Sequence, residues 1–245
     1  MRKTFKLLLY ILVFSSIVIC IPSCDKDAND TDSIRAGQLA DMITNQHDTI
    51  IRADYNYSEK YPVDIDQDGT ADFEIVVDDK IGSAMTGAVY TTVIKCLTAN
   101  TFLSIRETID TIYLHILRDT IHHYVIYEQS CSRQAEEDSI LGTRIYNSIE
   151  FCEEGDPISR DLSWAVDTLT LSSEGFGIPG GIEMYNGIEY YTGTSYPGSC
   201  REVPVNREVY LGVKLDISGI PKLGWIKLKR LSASSLKIME SGLQD

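Results

Sequence analysis

From residue 49 to the C-terminus the chain is divided into short runs, each rich in Ile, Val, Thr or Tyr. The runs fall at 49–57, 72–77, 88–97, 101–106, 111–117, 121–127, 143–151, 165–171, 181–191, 209–216, 224–231 and 235–239. β-branched and aromatic residues pack well on a pleated surface, so runs of this length and spacing predict strands joined by turns. No pair of runs encloses an amphipathic stretch long enough for a crossover helix, which removes the βαβ nucleotide-binding folds. The expectation is an all-β domain, an antiparallel β-sandwich or jelly-roll-like fold. A short N-terminal helix is expected ahead of it at 33–44, where Ser33 is placed to cap and Ile34, Leu39, Met42 and Ile43 supply an apolar stripe.

Between the first two runs lies Val-Asp-Ile-Asp-Gln-Asp-Gly-Thr-Ala-Asp-Phe, residues 63–73. Its carboxylates stand at relative positions 1, 3, 5 and 9 and its glycine at 6, a spacing that turns alternate side chains toward one hard cation. Four carboxylates in nine residues repel one another unless a divalent ion sits among them, and oxygen-only ligands favour calcium. The expected ligands are Asp64, Asp66, Asp68, the carbonyl of Thr70, and Asp72, with Gly69 making the sharp turn. An EF-hand is excluded, because position 12 is Ile75 rather than Glu and the flanks are β-rich rather than helical. The segment resembles the strand-loop-strand calcium loops, Asp-x-Asp-x-Asp-Gly-x-x-Asp, of FG-GAP and VCBS repeats. The chain has one copy only, so the resemblance carries a metal loop and not a propeller.

Residues 1–23 read as a secretion signal: Arg2, Lys3 and Lys6 are basic, 7–21 is mostly apolar, and Ile-Pro-Ser-Cys ends it at Cys24. This resembles the lipoprotein signals of Bacteroidetes, which implies diacylation of Cys24 and a membrane partner reached through the lipid. Two acyl chains give stable anchoring where one does not. Residues 24–33 are polar and acidic, a disordered tether, and 34–245 is read as a single β-rich domain. An acidic run behind the lipidated cysteine also resembles a surface-export signal, which implies the outer membrane and exposure at the cell surface.

The formal net charge is -14, and loss of three cations with the signal takes it to -17 (-14 minus 3), so nucleic acid is excluded as a partner. Cys96, Cys131, Cys152 and Cys200 remain after Cys20 and Cys24 are set aside; an even number in an exported chain suggests two disulfides, with Cys131–Cys152 and Cys96–Cys200 the preferred pairing. His115, His122 and His123 read as ordinary strand residues, since adjacent strand positions point to opposite faces. Glu153-Glu154-Gly155-Asp156 reads as a solvated loop, and no Gly-x-Ser-x-Gly elbow occurs.

In the last two long runs Leu211, Val213 and Leu215 alternate with Tyr210, Lys214 and Asp216, and Ile226 and Leu228 with Trp225, Lys227 and Lys229. If the aliphatic set faces the core, Tyr210 and Trp225 lie on the other face, either as a platform for a sugar ring, to which Tyr185, Tyr190, Tyr191 and Tyr196 add candidates, or as core beneath a second layer. Tyr-Leu-Gly-Val-Lys-Leu and Leu-Gly-Trp-Ile-Lys-Leu are similar to the closing strands of uncharacterised secreted bacterial β-proteins. The expected function is that of a lipid-anchored, non-catalytic β-protein with structural calcium. A surface glycan-binding or adhesion module is the alternative, with glycan or a surface protein as partner, and a hydrolase the third reading.

Overall fold

The computed structural model describes residues 32–54, 57–81, 88–118, 123–129, 139–175, 181–185, 188–193 and 202–245. The signal, Cys24, the tether up to residue 31, Cys131, Cys200, His122 and Tyr196 lie outside the described residues. In chain order the strands are β1 (Ser33–Arg35), β2 (Met42–Arg52), β3 (Glu59–Val63), β4 (Phe73–Ile81), β5 (Ala88–Cys96), β6 (Thr101–Arg118), β7 (His123–Gln129), β8 (Ser139–Ile149), β9 (Phe151–Cys152), β10 (Pro157–Ser159), β11 (Ser163–Ala165), β12 (Thr168–Gly175), β13 (Gly181–Tyr185), β14 (Ile188–Gly193), β15 (Glu208–Ile217), β16 (Ile220–Ser232) and β17 (Ser235–Gln244). The fold is all-β, and no helix occurs among the described residues.

The helix expected at 33–44 does not form. Ser33–Arg35 pairs instead with β10, and Met42 onward pairs with β17. Between them the chain turns at Gly37, φ 78°, where a β-carbon would stand 2.9 Å from the Tyr210 hydroxyl. A helical residue there would need both a different φ and the space that Tyr210 fills. The runs at 101–106 and 111–117 are one 18-residue strand, β6. Its polar middle, Arg106 to Asp110, stays extended because β8 pairs with every one of those residues.

The larger sheet runs β13-β14-β7-β6-β15-β16-β17-β2, with β8 and β11 also on β6 and β9 on β15; the smaller runs β12-β5-β4-β3, and β1 pairs with β10. The ladders between these strands are antiparallel except β14 with β7. The two larger sheets contribute to one apolar core. Val63, Phe73, Ile75, Val77, Ile94 and Leu171 come from the smaller, and Leu103, Leu211, Val213, Ile226, Leu228, Ile238 and Leu243 from the larger.

A second core lies on the opposite face of β15 and β16: Tyr210, Leu223 and Trp225 pack with Ile34, Ala36, Cys152 and Ile158, the last four from β1, β9, β10 and their turns. The β15–β16 hairpin is therefore buried on both faces. Trp225 is fully buried, its ring 5.5 Å and edge-on to that of Tyr210, with its indole N–H donating to the Gln38 carbonyl at 3.3 Å. Its cross-strand neighbours are Gly212 and Gly242, which leave the width an indole needs.

Candidate metal centre

The acidic loop is the connection of the β3–β4 hairpin. Val63 pairs with Phe73, and the Asp72 N–H donates to the Val63 carbonyl at 2.9 Å, so residues 64–72 leave the sheet and return at one point. Ile65, fully buried, pegs the loop into the main core between the equally buried Val63 and Phe73. Gly69 takes φ 92° and Gln67 φ 62°, the left-handed turns that fold nine residues back on themselves. The Gln67 amide donates to the Thr44 carbonyl of β2 at 2.9 Å.

Within this frame the carboxylates are held by backbone N–H groups. Asp66 Oδ1 accepts from Asp68 N–H at 3.1 Å, Asp68 Oδ1 from Thr70 N–H at 2.7 Å, Asp64 Oδ2 from Gly69 N–H at 2.8 Å, and Asp72 Oδ2 from Ile65 N–H at 2.9 Å. Such local bonds are the usual device by which aspartates shape turns. Asp64, Asp66 and Asp72 each bring one oxygen within 4.8 Å of the others. Asp68 stands outside this set with its side chain toward solvent, and Thr70 is likewise exposed. Of the four carboxylates expected to converge, the structure brings three together.

The electrostatics of the triad are unfavourable without a cation. Asp72 is 8% exposed, and its carboxyl is pushed up to about 6, chiefly by burial, with the charges of Asp66, Asp64 and Asp68 adding and the Ile65 N–H opposing. Burial also raises Asp66, and the neighbouring Asp68 and Asp64 add to it. Asp64 Oδ1 is buried with no hydrogen-bond partner. An orphaned buried oxygen is costly unless something supplies positive charge, and a hard cation fits this donor set, which is oxygen only.

The other expected site residues fall differently. Tyr210 and Trp225, the glycan candidates, are 4% and 0% exposed and belong to the second core. The alternation places them correctly on the face away from the aliphatic set, but β1 and β10 cover that face, so no sugar reaches the rings. Cys96 and Cys152 are free thiols in the structure, and their expected partners, Cys200 and Cys131, lie outside the described residues. Cys152 packs in the second core opposite Tyr210, where burial above all, with Glu150 and Asp156 nearby, pushes its thiol up to about 11. His115 and His123 sit on β6 and β7, paired across the ladder with Ile126 and Arg118.

His47 carries no motif and goes unmarked in the sequence. Its ring lies between Tyr61 on β3, with Nδ1 to the hydroxyl at 3.2 Å, and the fully buried Ser241 on β17, with Nε2 to Oγ at 2.9 Å. A β-bulge turns it there. Thr49 pairs with Ile238 and Gln46 with Glu240, so His47 and Asp48 oppose the single residue Met239, with Asp48 at φ 41°.

Compared with protein-family models, with curated proteins and with solved structures, the chain matches none.

Proposed function

We propose that this chain is a lipid-anchored, non-catalytic outer-membrane protein whose two main sheets stack as a β-sandwich stiffened by calcium in the 64–72 loop. One observation carries the metal reading: Asp64, Asp66 and Asp72 converge within 4.8 Å while Asp64 Oδ1 is buried without a partner. The ion is structural in this reading, because the loop joins two core strands and is anchored through Ile65 rather than opening on a nucleophile. The anchor rests on the order of basic residues, apolar run and Cys24 in the sequence.

Thermal melts test the calcium. An ion that binds only the folded state adds about 2.7 kcal/mol when a hundredfold above its Kd, so chelation lowers the melting temperature. Asp66→Ala lowers the melting temperature measured in calcium and abolishes the response to calcium. Wild-type melts that coincide in calcium and in chelator refute the site. Metabolic labelling with a fatty acid tests the anchor, with Cys24→Ser as the unlabelled control; a wild type that takes up no label refutes it.

A further inference from the structure

The edges of the two main sheets, β2 and β3, meet along a polar seam next to the acidic loop. Its contacts run in order: Arg52 N–H donates to Glu59 Oε2 at 2.6 Å, the His47 ring meets the Tyr61 hydroxyl, and the Gln67 amide reaches the Thr44 carbonyl. The middle contact is the one that spans three strands, since His47 also holds Ser241 of β17. Its ring stands edge-on to that of Tyr61 at 5.6 Å, and imidazole is the side chain whose unperturbed charge change lies closest to neutral pH.

Neutral imidazole suits this place. It offers one donor and one acceptor, and hydroxyls on either side can supply both complements. Imidazolium has two donors, forces both hydroxyls to accept, and brings a charge into a half-buried position. Tyr61 on β3 meets the ring both at Nδ1 and edge-on. β17 presents the neutral Ser241, and the carboxylates next to this point along β2 and β17 are engaged elsewhere, Asp48 with Lys237 and Glu240 with Gln46. Burial accordingly holds the His47 pKa below its ordinary value, with no anion to offset it. The group therefore adds stability that is fully present above pH 6.5 and is lost as pH falls through its lowered pKa.

Two residues after Tyr61, Val63 accepts the hydrogen bond that closes the acidic loop, and Gln67 ties the same loop to β2. The loop's geometry thus depends on how β3 sits against β2. We propose that His47 is a pH-sensitive latch between the two sheet edges, whose protonation loosens β3 from β2 and lowers the affinity of the 64–72 loop for calcium. The latch rests on the calcium reading of that loop, and it makes cation binding respond to acid through a residue that is not a ligand.

The test is calcium titration by calorimetry at pH 7.5 and pH 5.5 on the full mature domain, as wild type, His47→Gln and Tyr61→Phe. Glutamine retains a donor and an acceptor but does not titrate. Protonation of the carboxylates weakens binding at pH 5.5 in every variant. The latch predicts that wild type loses at least about threefold more affinity than His47→Gln, the equivalent of half a pKa unit. It also predicts that Tyr61→Phe, which breaks the seam at any pH while keeping the ring, binds more weakly than wild type at pH 7.5. Equal losses in wild type and His47→Gln, or wild-type affinity in Tyr61→Phe, overturn the latch and leave the calcium site standing. Absence of calcium binding to wild type at pH 7.5 overturns both.

Discussion

Gly242 stands directly across the ladder from Trp225, and a β-carbon added to it would fall 2.8 Å from indole Cζ2. The ring has nowhere to go, because Gly212 and the second core close its other sides. Gly242→Ala is expected to cost about 1–3 kcal/mol by overpacking, read as a lower midpoint in chemical denaturation with an unchanged slope. The same substitution in a Trp225→Phe background should cost less, and that coupling is what identifies the indole as the obstacle.

If calcium sits on the triad, Asp72 is a ligand, while Asp68, outside it, only shapes the turn. Asp68→Asn should keep the calcium-dependent rise in melting temperature, whereas Asp72→Asn should remove most of it. In chelator the sign reverses. A carboxyl raised from 3.8 to about 6 binds its proton more tightly in the folded chain, so wild-type stability falls as pH rises from about 4 through 6. Asp72→Asn lacks that fall and should be the more stable protein at pH 7.5, by up to about 3 kcal/mol. Melts across pH 4 to 8 in chelator check this.

Two ion pairs of similar length should differ sharply in weight. Arg230 and Glu202 meet at 2.8 Å with side chains 4% and 12% exposed, and Glu202 also accepts the Ser173 N–H at 2.6 Å. Glu202→Ala leaves a buried guanidinium short of its counter-charge and should cost about 3 kcal/mol or more. Arg207 and Glu153 meet at 2.6 Å but are 63% and 73% exposed. Arg207→Ala should change stability by less than about 0.5 kcal/mol. Denaturant midpoints of the two variants give the comparison.

Cys96 and Cys152 are thiols whose pKa burial raises, Cys152 to about 11. Since the thiolate is the reactive form, native protein at pH 8 should resist alkylation at both positions. Denaturation without reductant should expose both at once. Peptide mass mapping that finds either residue already disulfide-linked contradicts the structure.

The strands were legible because their composition is local, and the convergence of Asp64, Asp66 and Asp72 because the loop's spacing is self-contained. What the sequence hid came from long-range pairing. Ile34, Leu39, Met42 and Ile43 look like one side of a helix until β10, more than a hundred residues later, provides a ladder for β1 and β17 one for β2. The same β1–β10 pair is the cover that turns Tyr210 and Trp225 from a platform into a core, so alternation located their face but not their surroundings. Asp68 fits the ligand spacing as well as Asp66 does, and each accepts from the N–H two residues on, so neither spacing nor local bonding tells the half-buried carboxylate from the exposed one. His47 lies in a bulge, and a bulge depends on how two distant strands count against each other.

Among the described residues β2 has one sheet partner, β17, and the paired Gln46 and Glu240 are 194 residues apart. Contacts of such separation form slowly. A chain growing from its N-terminus therefore carries β2 unmatched until the last strand has been made. The β3–β4 hairpin can close on its own, but the tie from Gln67 to Thr44 gains a fixed anchor only when β17 arrives. If calcium binds the loop and prefers its fully tied form, capture of the ion would mark the end of folding rather than the beginning.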